Sequence, residues 1–380
     1  MCRCIFIYVV FLSFSLVCQS LSADEPLSRY GTVIETHNGI KVESGMTVTA
    51  QHGTNSQTQD ELLASFDLLS LIPFQAGEWA IYVEGNTTPK PGGVSSTLVE
   101  ANADAGSALD RDGKGRLQVS EFYYRRPLMG NSLAVGLLDP AGVLDGSDVA
   151  NDETAQFLGA SFVNNPTIAM PDYTLGAGYH IESKHNGVEF SLLLTGSHGL
   201  ADSPNASYAE LVELDADGKG LFVGGEVYWP LRHTIWRIGV WLNTAKFDYL
   251  DDSGNSGKNY GVYLSTDSSI NERYRLNVRA GLANETVSIA ADFLGIALET
   301  RLAGYMTGIG IAHTGVSSKA GAGYADFAQA EIYTRFHIHD QLQLTPSLQW
   351  IQNSGFRKPD TNADSNPVGV FSLRASYVFL

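Results

Sequence analysis

Over residues 330–380 apolar and polar side chains alternate with a period of two. Ile332, Thr334, Phe336 and Ile338, then Leu342, Leu344, Leu348 and Trp350, then Phe371, Leu373, Ala375, Tyr377 and Phe379 share one face of each run, and Glu331, Arg335, His337, Gln343, Gln349 and Arg374 fall between them. A β-strand sends successive side chains to opposite faces, so each run predicts a strand with one greasy and one wet side. The last run stops in Tyr377, Val378, Phe379 and Leu380, which predicts a sheet closed by its final strand, with lipid outside and water inside. A soluble two-sheet sandwich shares the alternation and is the competing architecture.

Similar segments, bounded by Gly, Asn, Asp or Pro, start near Val42, Ala64, Trp79, Leu117, Ser132, Leu175, Gly187 and Leu221, and again near Thr234, Tyr260, Tyr274, Val287, Tyr305, Ala328, Leu342 and Val370. The pattern therefore predicts an all-β protein, a transmembrane antiparallel barrel of about sixteen strands with long outer loops. From Thr234 to Asn243, Trp236, Ile238, Val240 and Leu242 oppose Arg237, Gly239, Trp241 and Asn243; from Tyr274 to Leu282 the apolar residues oppose Arg275, Asn277, Arg279 and Gly281. Arginines facing a dry core are costly unless paired, whereas facing a wet lumen they cost little. That contrast favours a channel over a sandwich. Residues 85–115 and 139–174 are too long and polar for hairpin turns and predict outer loops, one of them folding inward to narrow the lumen.

Residues 1–23 carry one basic residue, Arg3, then an apolar run from Ile5, then small residues up to Ala23. This is the plan of a secretory signal, leaving residues 24–380 as one barrel domain. All three cysteines, Cys2, Cys4 and Cys18, fall inside the signal, so neither a disulfide framework nor a thiolate metal site is expected. The formal net charge of -17 argues against nucleic acid as a partner. No apolar stretch beyond the signal has the ~20 residues of a spanning helix. Composition agrees with strands, since 39 Gly with 17 Tyr and 17 Phe suits tight turns and aromatic strand ends.

Two segments have the spacing of a calcium loop, 110–121 and 215–226. Asp110, Asp112 and Glu121, and Asp215, Asp217 and Glu226, occupy its first, third and twelfth positions, but Lys114 and Lys219 stand where an oxygen ligand belongs. The expectation is no cofactor, with calcium as the single metal alternative and polar turns leading into strands as the plain account. His337 and His339 are read as sharing a strand face, without a third strong ligand.

GLLDPAGVLDGSDVANDETAQFLGASFVNNPT (136–167), QVSEFYYRRPL (118–128), GIALETRLAGY (295–305) and AEIYTRFHIHDQLQLTPSLQWIQNSG (330–355) together resemble the OprB family of carbohydrate-selective porins. The resemblance implies a sixteen-stranded channel of the bacterial outer membrane that passes small sugars by diffusion through a constriction lined by arginines and acids. Two departures stand out: Leu137 where the family tends to carry a basic residue, and Leu380 in place of a terminal aromatic.

The residues expected to line the lumen and meet solute are Glu121, Arg125, Glu226, Arg237, Trp241, Arg275, Arg279, Glu331, Tyr333, Arg335 and Arg374, with guanidinium and carboxylate groups bonding sugar hydroxyls and Trp241 stacking on a pyranose ring. Half of them are read as neutralising one another across the wall. The expected partners are small sugars and outer-membrane lipids, with the barrel acting alone or as a homotrimer. Two other functions compete: a porin for anions or general small solutes, and an outer-membrane barrel enzyme. His313 and His337 offer the latter no persuasive catalytic partner, so the chain is not expected to be an enzyme.

Overall fold

The computed structural model describes residues 34–35, 39–182, 187–201, 208–212, 219–358 and 367–379; the signal segment and Asp215 and Asp217 lie outside them. Sixteen antiparallel strands close into a ring. They are β1 (Lys41–Gly53), β2 (Glu61–Phe74), β3 (Gly77–Asn86), β4 (Leu117–Leu128), β5 (Asn131–Leu138), β6 (Thr174–Glu182), β7 (Glu189–Gly196) and β8 (Leu221–Leu231), then β9 (Thr234–Asp248), β10 (Ser256–Ser269), β11 (Tyr274–Ala283), β12 (Ala290–Leu302), β13 (Tyr305–Val316), β14 (Phe327–His339), β15 (Leu342–Gln352) and β16 (Val368–Val378). Each strand pairs with the next, and β16 pairs back onto β1 from Val370↔Gly53 to Val378↔Gly45. Ile34–Glu35 adds a two-residue strand against Val42 and Lys41. The sandwich alternative is thereby excluded.

The start of every barrel strand lies close to the one that alternation predicts. The widest gap is at β10, which begins at Ser256 where the pattern begins at Tyr260. Ser256, Gly257, Lys258 and Asn259 carry no apolar residue on either side, so the sheet continues there without a greasy face to mark it. Most turns at one rim are two residues long, including 75–76, 129–130, 232–233, 303–304 and 340–341. Met129 and Gly130, with φ 55° and 82°, and Ala303 and Gly304, with φ 51° and 91°, are consecutive left-handed pairs whose twist matches the flanking strands. The opposite rim carries the long connections, among them 87–116 and 139–173.

The outward faces of the strands are apolar and open: Ile238, Val240, Val262, Leu294, Ile311 and Phe371 are all exposed. On a soluble protein so continuous a greasy belt would be an aggregation hazard; around a closed barrel it is the surface that lipid covers. Backbone polar groups tolerate that setting because each finds its partner on the neighbouring strand. Pro346, which has no N–H, sits where the β14–β15 ladder is interrupted without a change of register, between Tyr333↔Ser347 and Phe336↔Leu344.

Wall short of the full height occurs at β5 and β6, where the chain leaves for the interior. There Leu200 and Leu211 cover the outer face of Leu137, with Tyr173 and Leu175 packed alongside. The Tyr208 hydroxyl lies 2.9 Å from both the amide and the carbonyl of Val119 on β4.

Val240 stands near mid-height of the outer wall. Val240→Arg is expected to destabilise the barrel by about 2–4 kcal/mol in lipid vesicles, as an arginine does at the bilayer midplane. Urea unfolding checks it, and a cost below ~1 kcal/mol would place that face out of the hydrocarbon.

Candidate functional site

An unobstructed ring of sixteen strands, spaced about 4.8 Å apart and tilted about 40°, is roughly 30 Å across between backbones. Here two connections fill much of that width. Residues 139–173 fold inward and cross the lumen to β14 and β16, and residues 90–107 come in over β1, β2, β14 and β15. The two meet where the Ala103 amide donates to the Leu158 carbonyl at 2.8 Å. The inner wall is cut back to receive them: a Cβ on Gly310 would stand 2.6 Å from Phe162, and one on Gly281 would stand 2.0 Å from the Thr167 hydroxyl.

Charged side chains on the wall hold the crossing loop by its backbone. Arg279 of β11, 1 % exposed, donates to the carbonyls of Phe162 and Val163, both at 3.0 Å, to the carbonyl of Asp145 at 2.8 Å and to the Asn151 side chain. Its Nε faces the Asp145 carboxylate at 3.6 Å. Arg374 of β16 is fully buried and donates to the carbonyls of Glu153 and Gln156. Arg335 of β14 reaches the Ala155 carbonyl at 2.9 Å. Glu331 grips from the other sign, its two oxygens accepting from the Leu158 and Gly159 amides at 3.0 and 2.8 Å, just ahead of the short helix Ala160–Val163. Glu226 of β8 accepts from the Asp145 amide at 2.9 Å and the Tyr263 hydroxyl at 2.8 Å. Arg237 of β9 pairs with Asp267 at 2.6 Å, and Asp267 also accepts from the Ser147 hydroxyl and the Asp148 amide. A guanidinium with five donors in a plane suits this work, since peptide carbonyls along a crossing chain present acceptors at several heights.

These positions change the picture drawn from the sequence. Alternation correctly sends Arg237, Arg279, Arg335 and Arg374 inward, but water does not bathe them: the loop covers all four. Trp241, expected as a stacking platform, is only 3 % exposed and packs with Leu144, Phe222 and Tyr263, so it is closed to a sugar ring. Tyr333 is likewise buried, with Phe157 edge-on at 4.9 Å and its hydroxyl on Glu299. The residues that keep contact with inner water are Glu121, Arg125 and Arg275. Arg125 bonds Glu78 through Nε at 3.0 Å, and Arg275 pairs with Glu299. Leu137 faces outward under Leu200 and Leu211, so its lack of charge has no bearing on the lumen. Period-two reading passed over three residues that organise the site, Asp145, Asp267 and Glu299. Asp145 sits in a loop, and Asp267 lies among Ser265, Thr266 and Ser268, where both faces are polar and alternation carries no contrast.

The opposite wall is built differently. Asp104 of the second inward loop accepts from the Ser65 hydroxyl at 2.7 Å, Glu84 from Ser120 at 2.7 Å and from Ser107, and Asp67 from the Tyr82 hydroxyl. The donors that these bonds use are hydroxyl groups.

Neither metal reading gains support from the geometry. Asp110 accepts from the amides of Asp112 and Lys114 at 2.8 and 2.9 Å, bonds that hold its carboxyl below the usual range, the Lys114 amide most. Glu121 stands four strand residues beyond Leu117, about 13 Å down the wall, facing Tyr82 across the pair. His337 and His339 do not share a face. The register slips between them, placing His337 opposite Gln343 and His339 opposite Leu342, a bulge that turns one ring inward and the other toward Tyr377. Among the described residues no group of three or more His, Cys, Asp or Glu is arranged to hold a metal ion.

The profile of the carbohydrate-selective porin family OprB matches residues 27–379. In structure the chain is similar to Pseudomonas putida OprB, at a TM-score of 0.67 and 13% identity over 89% of this chain and 94% of that one. It is also similar to the outer membrane channel DcaP of Acinetobacter baumannii, at 0.57 and 11% over 91% and 99%, and to a mutant of the Rh. blastica porin, at 0.53 and 10% over 90% and 100%. In sequence it is 32% identical over 100 residues to an uncharacterized protein of Aquifex aeolicus, a match spanning 25% of this chain and 31% of that protein.

Removing Arg279 takes four bonds from the crossing loop and leaves the buried Asp145 without its ion-pair partner. Arg279→Met is expected to cost about 3–5 kcal/mol in urea unfolding and to raise single-channel conductance with added flicker as the loop loosens. Arg125→Met, which removes a half-exposed pair, is expected to cost under ~1 kcal/mol. Equal costs for the two would mean that the loop is held elsewhere.

Proposed function

The chain belongs to the OprB family of carbohydrate-selective porins, and from that membership we propose that it is a passive channel of the bacterial outer membrane for small carbohydrates, selecting by the width of its constriction and by hydrogen bonding there. The observation that carries the proposal is the meeting of two inward loops inside a closed ring of strands, at Ala103 and Leu158. A barrel roughly 30 Å wide between backbones would pass large solutes indiscriminately. Two loops locked to the wall by buried arginines and carboxylates leave a narrower and rigid path, and rigidity is what lets a neutral solute be sorted by size.

What remains along the path suits hydroxyl-rich solutes. Sugar hydroxyls donate as readily as they accept, and the wall formed by β2, β3 and the 90–107 loop offers the half-buried carboxylates of Asp67 and Asp104 as acceptors. Glu121, Arg125 and Arg275 add groups of both signs on the inner face. Weak, repeated contacts of this kind lower the cost of shedding water without trapping the solute, as permeation requires. The family and fold are those of channels.

Liposome swelling tests the reading. Vesicles holding the protein are expected to swell fastest with a monosaccharide, several-fold more slowly with a disaccharide, and more slowly with a zwitterionic amino acid of monosaccharide size than with the monosaccharide. Rates that scale with mass alone would reject sugar preference and keep only the pore.

A further inference from the structure

The crossing loop, residues 139–173, carries Asp139, Asp145, Asp148, Asp152, Glu153 and Asp172 and no lysine, arginine or histidine. Four arginines reach it from the wall, Arg237, Arg279, Arg335 and Arg374, and each is nine-tenths or more buried. The hydrogen bonds they make go to backbone carbonyls, to Asn151 and to Asp267. The wall beside them adds Glu226, Asp267 and Glu331 at the same contacts, and the facing wall adds Glu84 and Asp104, bonded to serine hydroxyls. The four guanidinium groups are removed from water, as are Glu84, Asp145, Glu226, Asp267 and Glu331, whereas Asp148 and Asp172 are exposed and Asp104, Asp139, Asp152 and Glu153 half-buried. The charged groups of the crossing loop that water still reaches are therefore carboxylates.

We propose that the constriction is a net-negative passage, so that this channel carries neutral sugars and small cations and turns back anions, phosphorylated sugars among them. The inference rests on the channel reading above and adds the sign of the solutes admitted. Buried arginine charge still acts through space, but a permeating ion meets the nearer exposed groups, and a fixed charge inside a narrow, low-dielectric wall raises the local concentration of its counter-ion. Asp148 is the clearest such group: its side chain is 62% exposed, 3.9 Å from the covered Arg237, with its amide pinned to Asp267 at 3.0 Å. Anion selectivity, the competing function raised by so many inward arginines, needs those arginines at the water surface, and the loop occupies that side of them.

The test is the reversal potential of the full protein in a planar bilayer under a potassium chloride gradient, with a swelling comparison of glucose against glucose 6-phosphate. The expected potassium-to-chloride permeability ratio is about 3 or more at 0.1 M salt and falls toward one at 1 M, where the Debye length shrinks to about 3 Å. The phosphorylated sugar is expected to swell vesicles at least several-fold more slowly than glucose. Asp148→Asn is expected to lower the permeability ratio and Asp148→Lys to lower it further, both judged on protein that still shows heat-modifiable migration. Chloride preference in the unmodified channel would overturn the proposal while leaving a sugar channel intact. A cation preference that neither variant alters would overturn the assignment to the crossing loop. Absence of both conductance and swelling would instead overturn the channel reading itself.

Discussion

A peptide chain placed in hydrocarbon has no water to bond its N–H and C=O groups, and each one left unpaired costs several kcal/mol. That constraint organises the whole molecule. It demands a sheet without edges, met here by the pairing of β16 onto β1, and it permits irregular backbone only inside the ring. The two long connections that enter the lumen obey it. They are shielded from lipid by the wall, and their own amides and carbonyls are taken up by wall side chains and by each other. One low place in the ring, the short β5 and β6, is covered from outside at Leu137 by Leu200 and Leu211.

Within the ring the division of labour is by charge type. Guanidinium groups bind carbonyls along the crossing loop, and carboxylates bind its amides. Arg279, Arg374 and Glu331 therefore act as supports that set the shape of the path without lying on it. A buried arginine in a soluble core is a liability, because few acceptors are free to satisfy it. In this lumen a length of loop backbone supplies them, which explains how so many charges are buried at the centre of one barrel. The Arg125–Glu78 and Arg275–Glu299 pairs on the inner face take no part in holding the crossing loop.

Aromatic residues show the same separation. Phe157 packs at a tilt against Phe162 and edge-on to Tyr333 to seat the loop, and Trp241 lies nearly parallel to Phe222. Outside, Trp79 stacks on Phe122 at the wall, where an interfacial ring belongs. The same residue type serves packing within and anchoring without, and its face of the strand decides which.

By itself the sequence determined the ring, its strand count and which side chains turn inward, because a strand with lipid on one side and water on the other must alternate, and alternation is local. Ile238 outward and Arg237 inward is legible from ten residues. The same pattern marked 139–174 as a long connection, and the motifs in it pointed to the family. Only the tertiary structure decided that this connection, with 90–107, lies inside the ring, and hence that Arg279, Arg374, Trp241 and Tyr333 are covered instead of wet. Inward is a property of one strand, whereas exposed depends on which distant segment of the chain is laid against it. A bulge too, as between His337 and His339, turns on how the neighbouring strand is paired. Period-two reading cannot see either, since both are set by contacts that no single stretch of chain contains.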